Sequence, residues 1–157
     1  MQLTVALLTW FHLLSAVVWA GGIVFILFIA IPSSRQVLGP EAGKLMAEVS
    51  NRFTPLANLS IIILVVTGVA LTPIRGYFSG PAILDGHPSL TLLVKYILAF
   101  GMVAIHFYRG TVLGPKISRT VDQGKKQALQ KLSLGLVRVN LALAVAILFF
   151  SSVLMSF

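Results

Sequence analysis

The chain has 157 residues, of which 57% are hydrophobic and only 10% charged, with a mean hydropathy of +0.97. A soluble domain of this size carries far more charge, so the composition marks a membrane protein. The formal charge is +8, but most of the basic residues lie between the apolar runs, where membrane topology explains them and no nucleic-acid partner is implied. With no cysteine, disulfides, thiolate metal sites and covalent c-type haem are excluded, while haem b and copper bound by His and Met remain open.

Four apolar runs, at residues 3–31, 54–74, 90–113 and 132–157, are each long enough to cross a bilayer as a helix, which takes about 20 residues. The predicted fold class is all-α: one transmembrane domain over 1–157, an integral membrane four-helix bundle in contact with lipid. The first run has no basic n-region and is too long for a signal-peptide core, so it reads as a retained helix. Within it His12, Ser15, Trp19, Gly22 and Ile26 share one helix face. A histidine in hydrocarbon is costly and is a functional-site hypothesis by default, and the small residues beside it admit a neighbouring helix.

Pro32-Ser33-Ser34 is expected to end this helix. Gly39-Pro40-Glu41 then reads as a new helix start, with Pro at the first position and an acid in the first turn. It opens either a short interfacial helix over 40–52, with Lys44 and Arg52 on its wet side, or a plain connector. The second run carries Asn58 and Thr67-Gly68, residues usual in helix packing. The segment 73–88 is rich in Gly and Pro. There Asp85-Gly86-His87 reads as a turn before a helix capped by Ser89, ahead of an external metal site.

The third run carries Lys95, Met102, His106 and Arg109. Lys95 and His106 are eleven residues apart, three helical turns, with Met102 between them on the same face. The fourth opens with Arg138 and Asn140. Arg35, Lys44 and Arg52 fall in the first connection, and Lys116, Arg119, Lys125, Lys126 and Lys131 in the third, against only Arg75 in the second. The positive-inside rule then places both termini on the outer, periplasmic side of a multi-pass protein, as in a bacterial or archaeal cytoplasmic membrane.

At ~1.5 Å of rise per residue, His12 falls roughly 10 Å and Lys95 roughly 8 Å below the outer surface of the hydrocarbon, near the level of Thr67. His106 and Arg138 fall roughly 6 and 8 Å from the inner surface, near Asn58. The two histidines thus belong to different layers. Lys95, Arg109 and Arg138 also read as cations snorkelling to the interfaces.

The run His12…Trp19-Ala20-Gly21-Gly22 resembles the first helix of the copper-resistance protein D (CopD) family and of the related HemJ family of protoporphyrinogen oxidases. Phe53…Thr67-Gly68 is similar to the second CopD helix. Lys95 and His106 match the third helix of HemJ, Lys95 also fits CopD, and Arg138-Val139-Asn140 resembles the start of the last helix of both. CopD resemblance implies copper handled at or moved across the membrane. HemJ resemblance implies haem b and oxidation of a porphyrinogen, with a His and a Lys at the site. The chain departs from HemJ where Phe28 stands for an arginine and Leu141 for an acid.

Three readings follow. In the first and leading one, haem b binds within the bundle for electron transfer or oxidation. His12 is its axial ligand, Lys95 a second ligand or propionate partner and Arg138 a propionate partner, with Trp19 beside the ring and His106 at a second site or proton relay. A quinone, porphyrin or membrane redox partner goes with it. In the second, copper moves along the bundle axis through His12, Met102 and His106. In the third, the chain is a structural or assembly subunit of a larger complex, or an oligomer, and its polar residues bond helices together. No catalytic acid stands in a span: Glu41, Glu48, Asp85 and Asp122 all lie in connections.

Overall fold

The computed structural model describes the backbone of residues 2–74 and 87–155, and the side chains of 2–74 and 90–153. All regular structure among these residues is helical. Three continuous stretches are long and apolar enough to cross a membrane: Gln2–Ile74, Leu90–Arg119 and Gln123–Val153. The chain divides into two compact units, Met1–Gly86 and His87–Phe157.

In the first unit, helix α1 (Gln2–Phe25) runs into a π turn (Ile26–Ala30) and then α2 (Ile31–Leu38). Pro32 does not end the helix, contrary to expectation. The Ile31 N–H bonds the Ile26 carbonyl, five residues back. This wider turn shifts the carbonyls that a proline ring would otherwise strike, and Pro32 falls in the first turn of α2, where its missing N–H is tolerated. The stop comes at Gly39, whose φ of 51° and ψ of −119° form a backbone state nearly closed to other residues.

A 3₁₀ turn (Gly39–Glu41) follows, with Pro40 at its start as expected. Then α3 (Ala42–Ile74) runs for 33 residues. The segment 40–52 forms no separate helix: residues 42–52 are the first turns of α3. A helix of this length measures about 50 Å against about 30 Å of hydrocarbon. Its excess carries the exposed pairs Glu41–Lys44 and Glu48–Arg52. Helices α1 and α3 pack antiparallel, with His12 meeting Thr67 and Gly22 meeting Phe53.

In the second unit, α4 (His87–Phe107) begins ahead of Ser89 and continues through a π turn (Tyr108–Leu113) into α5 (Gly114–Arg119). The expected end at 113 is passed in the same way as at Pro32. The Gly114 N–H bonds the Arg109 carbonyl, and Pro115 sits in the turn that follows. Helix α6 (Gln123–Met155) starts nine residues before the expected 132. Its start is capped by Asp122, whose carboxylate accepts the Lys125 N–H at 2.9 Å. The connection expected over 114–131 shrinks to residues 120–122. Helices α4 and α6 pack antiparallel, Gly101 lying beside Leu143 and Arg109 beside Ser133.

Candidate functional site

The polar face expected on α1 is the face packed against α3. Ser15 and Trp19 are buried, and His12, Gly22 and Ile26 half-buried. On the opposing helix Ala57, Ser60, Ile61, Thr67, Leu71 and Thr72 are buried. The register set by the His12–Thr67 and Gly22–Phe53 pairs places Trp19 opposite the small residues Ala57 and Ser60. There the indole is accommodated without forcing the helices apart.

His12 Nδ1 lies 2.7 Å from Thr67 Oγ1, a hydrogen bond across the two helices. Thr67 Oγ1 is also 2.6 Å from the Ile63 carbonyl and 3.4 Å from that of Leu64. Gly68 lies beside the ring, where a Cβ would make ordinary van der Waals contact with His12 Cε1 at 3.4 Å. Thr67 thus supplies a hydrogen-bonding oxygen to the imidazole, with Gly68 packed beside the ring. The expectation that these two are packing residues is half the account; both also touch the histidine.

In the second unit Met102 is buried, while Lys95 and His106 are half-buried on α4. Met102 and His106 are one turn apart on one face. The Gly101–Leu143 and Arg109–Ser133 pairs place Asn140 of α6 opposite the turn that holds them. Asn140 is 2% exposed, and its Oδ1 is buried with no hydrogen-bond partner. Asn140 was not among the expected ligands. Its signal in the sequence was a lone amide opening the last apolar run, at helical spacing from Val137 and Ala144, which are also buried.

Arg109 is half-buried and reaches α6, its Nε donating to Ser133 Oγ at 3.3 Å. Snorkelling alone does not describe it. Arg138 is exposed, off the face that Val137 and Asn140 turn inward. The Thr67 level of the first unit is occupied as expected by His12. Asn58 is half-buried in that same unit. The Asp85-Gly86 turn and the His87 side chain lie outside the described residues. Among the described residues, no three of His, Cys, Asp and Glu converge.

Helices long and apolar enough to cross a bilayer mark an integral membrane protein. The family model for copper resistance protein D matches residues 47–154, and the chain belongs to that family. No curated protein and no solved structure matches it.

Proposed function

We propose that the protein is a copper-handling protein of a bacterial or archaeal cytoplasmic membrane, spanning four times with both termini outside. Family membership carries this reading and puts copper ahead of haem b. In this topology α1 and α3 are the first two spans, and the basic ends of α5 and α6 lie in the cytoplasm.

Copper(I) is soft and is held by few ligands, with sulfur and imidazole favoured. The chain offers His12 in its first unit and the Met102–His106 pair in its second. Isolated donors of this kind suit an ion that passes through as cargo, not one locked in a many-ligand cage. Trp19 forms an apolar wall on the His12 face. Lys95 and Arg138 anchor the ends of their spans.

The test is a copper(I) titration of the detergent-purified protein against a chromophoric chelator, with visible spectra taken oxidised and dithionite-reduced. The expected result is copper(I) binding that weakens at least about tenfold in His12→Ala and in Met102→Leu, with no haem bands. A sharp Soret band with resolved α and β bands on reduction, from protein made with ample haem, would overturn copper in favour of haem b. If neither ligand binds and His12→Leu is as stable as the parent, the chain is a structural subunit.

A further inference from the structure

The distances around Thr67 locate a proton. Its hydroxyl has one hydrogen to give, and the nearer carbonyl, Ile63 O, lies 2.6 Å away. A carbonyl oxygen only accepts, and two oxygens at that distance without a hydrogen between them would repel. The Thr67 hydrogen therefore points to Ile63, the back-bond to residue i−4 usual for threonine in a helix. His12 Nδ1, 2.7 Å from the same oxygen, must then be the donor. A neutral imidazole carries one N–H, so placing it on Nδ1 leaves the lone pair on Nε2.

We propose that Thr67 is a positioning residue that holds His12 as its Nδ1–H tautomer and so makes Nε2 the ring atom offered to copper. The tautomer stands on the geometry alone; its use rests on the copper reading above. The arrangement has the form of a metal-binding histidine oriented through its other nitrogen. Here the partner is a hydroxyl whose own proton is spent on the helix backbone. That keeps a charged carboxylate out of the bilayer interior, where it would be costly.

The experiment is nitrogen-15 NMR of the metal-free, histidine-labelled full chain in bilayers, at a pH where the ring is neutral. His12 is assigned by its loss in His12→Gln. Expected in the parent are a protonated Nδ1 and an unprotonated Nε2. Thr67→Val keeps the shape but cannot accept, and should move His12 toward the Nε2–H form; Thr67→Ser should restore the parent pattern. An Nε2–H signal in the parent, or an unchanged tautomer in Thr67→Val, overturns the assignment. The parent spectrum decides even if the valine variant folds poorly. Copper(I) added to the parent should then shift Nε2, with affinity about tenfold lower in Thr67→Val and recovered in Thr67→Ser. If the tautomer is as assigned but copper(I) leaves His12 unmoved, the copper role of Nε2 is overturned and the positioning by Thr67 stands.

Discussion

Gly21 and Gly22 are neighbours on α1, yet they face different surroundings. A Cβ on Gly21 meets nothing within 4 Å, whereas one on Gly22 falls on Cε2 and Cζ of Phe53. Gly22→Ala must therefore push the Phe53 ring aside. Carbon atoms sit about 3.5–4.0 Å apart at rest, so the displacement exceeds an ångström. The ring is the far end of a half-buried side chain, so it can move, at the usual overpacking cost of about 1–3 kcal/mol.

Both alanines also gain helix propensity, up to about 1 kcal/mol each in aqueous scales. That gain cancels in the comparison between them. Gly21→Ala should be as stable as the parent or better, and Gly22→Ala should fall about 1–3 kcal/mol below Gly21→Ala. Trimming the obstacle with Phe53→Leu should recover much of the loss, because the two sites are in contact and their effects are coupled. The assay is reversible unfolding in mixed micelles followed by circular dichroism. Equal stabilities for the two alanine variants, or no rescue by Phe53→Leu, would refute the close approach of α1 and α3 at this point.

Gly39→Ala should destabilise the first unit by about 1–3 kcal/mol through backbone strain alone, since no atom lies within 4 Å of an added Cβ; the same unfolding assay reads it. Asp122→Ala should cost about 1 kcal/mol and expose the first turn of α6 to faster hydrogen exchange, with Asp122→Asn retaining most of the cap. Asn140→Leu removes a buried oxygen that has no partner, so its midpoint of thermal unfolding should match or exceed that of the parent; a clear drop would show that Oδ1 is engaged in the working protein.

The apolar runs were legible because hydrocarbon imposes a length and a composition that nothing else mimics. The inward face of α1 was legible for a related reason: His12, Ser15 and Trp19 are too polar or too large to be scattered around a lipid-facing helix. Gly39-Pro40-Glu41 announced its turn through backbone chemistry. Helix ends were harder to read. Pro32 and Pro115 look like stops until the preceding turn widens, and a widened turn leaves no residue signature of its own. The polar start of α6 was hidden because the bilayer sets where a helix must be apolar, not where it must begin. Asp122, with Leu129, Leu132 and Leu136 recurring at helical spacing behind it, was the available sign. Thr67 was visible as a small polar residue, but its partner was not, since residues 55 apart meet only once the hairpin has closed.

The two π turns have a consequence for the alignment of this chain with any relative. Each packs one extra residue into a turn, so every side chain beyond it is rotated by about 100° relative to the pattern before it. Ile26–Ala30 and Tyr108–Leu113 therefore act as phase shifters between the lipid-crossing part of a helix and its basic end. The two parts can be matched to their neighbours independently, although they form one continuous rod. A relative lacking one residue in either turn would keep the same spans and the same basic ends, with the faces of those ends turned through about a quarter of a circle.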